Sequence, residues 1–235
     1  MLGGLAGAVL VLSAAVFVWR PTEAIASPGV AQSFGAANTA LGTSLTASTG
    51  THTSVGDLLV ATIRIRSTTG LTVVGGVSDG TGDVWHQAAT VTSGSQGDNE
   101  IWYAANAGSV SGVTVSVASP AALAMTVVEV TGASGSPLDG AASAQGNSST
   151  ASTGATGTTT QASEVVVADV GWNADRTVSG QTAGYTTTAT EQSTASNTHT
   201  GQQAAWQVLS AVGSQSYSAT LSSSVPWTGV IATFD

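Results

Sequence analysis

The chain has 235 residues, of which 42% are hydrophobic and only 7% charged, with no cysteine and a formal net charge of −9. Its basic residues are four arginines, Arg20, Arg64, Arg66 and Arg176. Schiff-base or general-base lysine chemistry, lysine isopeptide bonds, disulfides, thiolate catalysis and cysteine metal sites are therefore excluded, and the clustered Lys/Arg that nucleic-acid binding needs is missing.

Residues Leu2 to Trp19 form an apolar run interrupted only by Ser13, long enough for a signal-peptide core or a membrane span. Pro21 breaks it, and Ala24-Ile25-Ala26 places small residues three before and immediately before the bond to Ser27, as a cleavage site requires. No positive charge precedes the run, which favours a retained anchor. An apolar helix within residues 1–26 is thus expected to act as a signal peptide or membrane anchor. Either role puts residues 27–235 outside the cell, touching the membrane only through that segment where it stays uncleaved.

Past Ser27 no helical pattern recurs. Leu59, Ala61, Ile63 and Ile65 alternate with Thr62, Arg64 and Arg66, which reads as a strand with one face in a core and the far end of the other face wet. Turn residues cluster at Ser78–Asp83, Gly94–Asn99 and Thr131–Pro137. Val166, Ala168, Val170 and Trp172 then repeat the alternation against Val167, Asp169 and Gly171. The stretches Ala36–Ser54 and Ala141–Ala162, rich in Ser, Thr, Gly and Ala, each precede the strongest strand of their half and are expected to form edge strands and long loops. The second contains the sequon Asn147-Ser148-Ser149.

The two halves say nearly the same thing. Asp57–Ile63 returns as Glu164–Val170, Trp102 as Trp206, Val113–Val117 as Ser216–Leu221, and Met125–Val130 as Gly229–Phe234. The expected fold is all-β: an antiparallel two-sheet sandwich, jelly-roll-like, with internal pseudo-duplication over about 30–133 and 137–235. A single domain in which each repeat gives strands to both sheets is favoured over tandem domains, with Trp102 and Trp206 buried at equivalent positions.

Several segments, read in order, are similar to a Ser/Thr/Gly-rich β-sandwich module of bacterial secreted and surface proteins that also occurs in phage structural proteins. They are Gly56-Asp57-Leu58-Leu59-Val60, Val77-Ser78-Asp79-Gly80-Thr81-Gly82-Asp83-Val84-Trp85, Ile101-Trp102-Tyr103-Ala104, Val128-Glu129-Val130-Thr131-Gly132 and Pro137-Leu138-Asp139-Gly140. The closing Trp227 and Ala232-Thr233-Phe234 complete the set. The module usually has Asn at the place of Asp83 and an aromatic at the place of Val130. The resemblance implies a sandwich and an exported setting, and brings no settled activity with it.

Candidate chemistry is sparse. His52, His86 and His199 stand away from any nucleophile elbow and read as surface imidazoles. Glu129 shares a strand face with Leu123, Met125 and Val127, which makes it the best single acid for a glycosidase, but no partner acid is evident. Asp79, Asp83 and Asp98 lie in segments read as loops that could converge on a structural Ca²⁺, and turn-forming aspartates explain them as well. Trp85, Trp172 and Trp227 sit near strand ends, where an indole can stack on a sugar, although each also fits a hydrophobic plug. No residue is assigned a catalytic role.

The reading that follows is a non-enzymatic extracellular surface, adhesion or structural protein, its partners glycans or other surface macromolecules, with self-association open to it. A carbohydrate-binding module, a Glu129 hydrolase and a subunit of a filament or virion are the alternatives. Processing at Ala26 predicts that exported material begins at Ser27; mass spectrometry that instead finds an intact Met1 terminus on that material establishes the anchor.

Overall fold

The computed structural model describes residues 27–67, 70, 74–94, 97–195 and 198–235; the expected N-terminal helix lies outside them. Among the described residues the chain is all-β, with two antiparallel sheets and no helix.

The first half gives β1 (Gly29–Ala37), β2 (Gly42–Ser48), β3 (Leu58–Arg66), β4 (Val74–Ser78), β5 (His86–Ser93), β6 (Gly97–Ala104) and β7 (Gly112–Thr131). The second gives β8 (Leu138–Thr158), β9 (Val165–Asn173), β10 (Val178–Ser179), β11 (Thr186–Ser193), β12 (Thr200–Val208) and β13 (Ser214–Phe234). The first sheet runs β1-β7-β3-β6-β5, with β2 and β4 also on β7; the second runs β10-β13-β9-β12-β11, with β8 also on β13. Strand for strand the pairings correspond, β8 standing for β1 and β2 together: its first part pairs with the end of β13 and its last part with the beginning.

Both long strands serve two ladders. The end of β7 pairs with β1 and β3, and its beginning with β2 and β4. Register slips where the ladders meet, between Gly42 and Ser44 opposite β7 and between Thr220 and Val225 in β13. The beginning of each long strand folds back over its own sheet, so Val113, Val115 and Val117 cover Leu59, Ala61, Ile63 and Ile65. Tyr217, Ala219 and Leu221 likewise cover Val166, Ala168 and Val170.

A third core lies between the two sheets. Leu58, Val60, Ile101, Val128 and Val130 meet Val165, Val167, Val230, Ala232 and Phe234. Strands β3 and β9 are therefore buried on both faces along nearly their whole length, and this explains the unbroken apolar runs with which they start, Leu58–Ala61 and Val165–Ala168. The sheets lie with β1 beside β11 and β5 beside β8, a roughly two-fold arrangement of corresponding edges.

Toward the far end of β3 and β9 the same layer becomes polar. Arg64 is fully buried there: its Nε donates to Thr200 Oγ1 (3.0 Å), Nη1 to Thr228 Oγ1 (2.7 Å) and to the Asp98 carbonyl (3.3 Å), and Nη2 to Asn173 Oδ1 (2.7 Å). The Asn99 amide donates to Asp169 Oδ2 at 2.9 Å, and the Gln202 amide to Thr62 and Thr126. Gly97 and Gly171 make room for the guanidinium; a Cβ at Gly171 would stand 2.5 Å from Arg64 Cδ.

Several expectations change as a result. Each half completes its own sheet before the other begins, so the repeats do not share strands between sheets and the jelly-roll path is not followed. The face carrying Thr62 and Arg64 is dry, because the second sheet covers it. Gly97, Asp98 and Asn99 belong to β6, not to a loop. Trp102 pairs with Ala61 and Trp206 with Val167; since Ala61 corresponds to Ala168, Trp102 corresponds to Ala205 and Tyr103 to Trp206. The tryptophans are one residue out of register, half-buried, and face different layers, Trp102 its own half's core and Trp206 the central one. Edge placement holds for β8, which pairs with β13 alone.

Arg64→Ala strands the acceptors on Thr200, Thr228 and Asn173 and opens a cavity. It is expected to lower the unfolding free energy by about 3–5 kcal/mol, read from urea denaturation; a loss below about 1 kcal/mol would mean that the layer does not depend on this cation.

Candidate functional site

The residues singled out in the sequence do not form one site. Trp172 is fully buried in its half's core and Trp227 is 8% exposed. Trp227 lies against Gly146 and donates from Nε1 to Ser148 Oγ at 2.9 Å. Neither ring offers a face to a sugar, because the folded-back part of the second half covers both. Trp85 is half-buried against the first core, its Nε1 donating to Asp79 Oδ2 at 2.8 Å.

The expected calcium ligands separate. Thr81 Oγ1 lies within hydrogen-bond distance of both Asp79 Oδ1 (2.8 Å) and Asp83 Oδ2 (2.9 Å), and the Thr81 and Gly108 amides donate to the same two carboxylates. The carboxylates thus close their own turn. Burial works to raise the Asp79 pKa, but the hydrogen bonds from Thr81 and Trp85 outweigh it and hold the group below its ordinary value. Asp98 is buried in β6, where its neighbour is Glu100. Among the described residues no group of three metal-ligating side chains gathers.

Carboxylate pairs escaped the sequence reading. Glu129 is buried, as its strand face required, and accepts from Gln32 Nε2 (2.7 Å) and the Ser54 amide (2.6 Å). Asp57 is hydrogen-bonded to it, and burial together with that neighbour raises Asp57 to about 6. These groups tie β1 and the β2–β3 connection to the end of β7. At the corresponding place of the second half, Glu164 is bonded to Thr233. Glu100 accepts from Trp102 Nε1 (2.6 Å), from the Val74 amide (2.9 Å) and from Gln87. Beside it, burial raises Asp98 to about 9. Asp57 and Glu129 stand some seventy residues apart in sequence and meet only because β3 pairs with β7.

One open pocket, about 420 Å³, lies where the polar end of the central layer reaches the surface, lined by Arg66, Ala174, Asp175, Arg176 and His199. It follows from register: Thr200 pairs with Asn173, so the residues just outside that pair, His199 and Ala174, close the end of the β9–β12 ladder. The His199 carbonyl accepts from the Ala174 amide (2.6 Å) and from Arg66 Nη1 (2.7 Å). Its Nδ1 lies 2.7 Å from Asp175 Oδ2, and Gln192 Nε2 donates to Asp175 Oδ1 at 2.6 Å. Ala174 has a φ of 63°, a left-handed conformation that is strained for a residue with a Cβ and collects at functional sites. In the sequence His199 reads as an ordinary surface imidazole; nothing local marks its meeting with Asp175.

No family model, curated protein or solved structure matches the chain.

The raised carboxyls set the direction of the pH dependence. Burial first of all raises Asp57 to about 6, Asp169 to about 7 and Asp98 to about 9, against an ordinary 3.8, so each holds a proton in the folded state that the unfolded chain has released. Stability therefore falls as pH rises through these windows, from 3.8 up to about 9. Asp79 acts oppositely, below 3.8. Thermal melts are expected to peak in mild acid and decline toward pH 9, with a shallower slope between pH 4 and 7 in Asp169→Asn; a wild-type optimum above pH 8 would contradict the buried protonated acids.

Proposed function

We propose that this chain is a non-enzymatic, exported β-sandwich that serves as a surface, adhesive or structural element. The observation that supports the reading is how the buried ionisable groups are used. Arg64, Glu100, Glu129, Glu164 and Asp169 are all buried and engaged in holding layers and connections together, and Asp98 is buried beside Glu100. The partly exposed strands β2 and β8 carry Ser, Thr, Ala, Gly, Asn and Gln. A hydroxyl surface over a cross-braced interior suits persistence in contact with other macromolecules.

The extracellular location, the duplication of one ancestral sheet unit and kinship with the Ser/Thr/Gly-rich secreted module belong to this proposal. They draw on the N-terminal sequence pattern, the matching strand orders and the segments quoted above. The paired acids Asp57 and Glu129 favour bracing over hydrolysis: both Glu129 oxygens are already engaged, and its partner touches it directly instead of facing it across a cleft. A carbohydrate-binding role through Trp85 is the runner-up, since that indole alone of the three keeps partial exposure.

The test is a glycosidase and esterase panel with a glycan array, applied to the wild type, Glu129→Gln and Trp85→Ala. The expected result is no turnover in any of the three, with Glu129→Gln lowering stability by about 1–3 kcal/mol through its weakened hydrogen bonds. Robust turnover lost in Glu129→Gln would overturn the proposal in favour of a hydrolase; glycan retention abolished by Trp85→Ala would move it to the sugar-binding module.

A further inference from the structure

In a chain without lysine and with a net charge of −9, the arginines are not scattered. The three that the structure describes converge on one end of the central layer. Arg64 is wholly engaged inside it. Arg66, two residues on along the same strand face, reaches the rim, and Arg176 stands in the turn after β9 that lines the same pocket.

Their charges are not compensated locally. Among the described residues the one ion pair is His199 with Asp175, and the two Asp175 oxygens are taken by His199 and Gln192, not by an arginine. Arg66 Nη1 is tied to the His199 carbonyl and Arg176 Nη1 to the Asp175 carbonyl. On both side chains the Nε–H is covered and meets no acceptor. Two half-buried guanidinium groups thus carry an unmatched donor beside an open pocket, and the turn between them is held in the strained conformation of Ala174.

The geometry points to a binding site for a sugar carboxylate, of the uronate class, between Arg66 and Arg176. The guanidinium fork matches a carboxylate through two parallel hydrogen bonds, which a modest rotation of either side chain would present as its Nε–Nη edge. Two guanidinium groups, Arg66 and Arg176, line the pocket against the single carboxyl of Asp175, so the lining favours an anion. A free phosphate would leave most of a pocket of this size unfilled. A pocket of about 420 Å³ admits a sugar ring, and His199 in its lining offers a polar edge to a hydroxyl flanking the carboxylate. Among the described residues its lining has no aliphatic side chain larger than Ala174 to anchor a peptide. The Asp175–His199 pair acts as a support, keeping the acid turned away from the arginines.

This inference deepens the adhesive reading by giving it a ligand class, and it rests on that reading for its setting; the turnover panel tests that reading and binding tests this one. The purified chain is titrated with a glucuronate oligosaccharide, the matching neutral glucose oligosaccharide, inorganic phosphate and a glutamate-rich peptide, followed by calorimetry. Saturable binding of the glucuronate alone is expected, weakening with added salt and falling by about tenfold or more in Arg176→Gln. Arg176 lies in an outer turn, so an unchanged melting temperature separates lost binding from lost folding; Arg66→Gln is the second variant, expected to show the same loss. Absence of saturable glucuronate binding, or full binding in both variants, overturns the site. Preference for phosphate or for the peptide overturns the ligand class.

Discussion

A single buried cation sets the terms on which the two sheets meet. Arg64 carries its charge into a layer closed on both sides, and burial lowers its pKa to about 10 even with Asp98 and Asp169 attracting it. Such a group is tolerated only where its donors are satisfied, and they are satisfied almost entirely by the other half: Thr200, Thr228 and Asn173. The partner sheet must therefore sit where those three oxygens converge. Apolar faces alone, such as Leu58 and Val60 against Val165 and Val167, would tolerate a slide along the strand direction; a guanidinium with three fixed acceptors does not.

Corresponding positions of the two halves make this possible by differing. The ladder registers place Arg64 opposite the role of Gly171, Gly97 opposite that of Thr200, and Ala124 opposite that of Thr228. One half supplies the long side chain and small neighbours, the other supplies the space and the acceptors. Two arginines at these places would meet as like charges in a low-dielectric layer, and two glycines would leave a void. Complementarity turns what would be a symmetric contact into a specific one. The Asn99–Asp169 hydrogen bond follows the same pattern, for their counterparts are Gln202 and Thr62, which bond to each other. The polar layer runs out to the surface past Thr200 at Arg66 and Asn173, and the cationic pocket is its outer end.

The sequence by itself determined the secondary structure class and most of the strand cores. Period-two alternation in β3 and β9, turn residues between runs and the absence of helical spacing past Ser27 are local properties, set by side chains a few residues apart, and they lead to the all-β fold of the described residues. The face of Glu129 was legible for the same reason. The parallel between the halves was legible too, except around Trp102 and Trp206, where two aromatics one register apart imitate a match.

Only the tertiary structure decided what lies on the other side of each strand. Alternation separates two faces without saying what covers them, so Thr62, Arg64 and Arg66 read as a face turning to water when two of the three are sealed by the second sheet. The burial of Trp172 and Trp227, the pairing of Asp57 with Glu129 and the meeting of His199 with Asp175 have the same origin. Each depends on strands far apart in sequence being brought side by side or face to face, and a hydrogen bond or a desolvated charge exists only once both partners are in place.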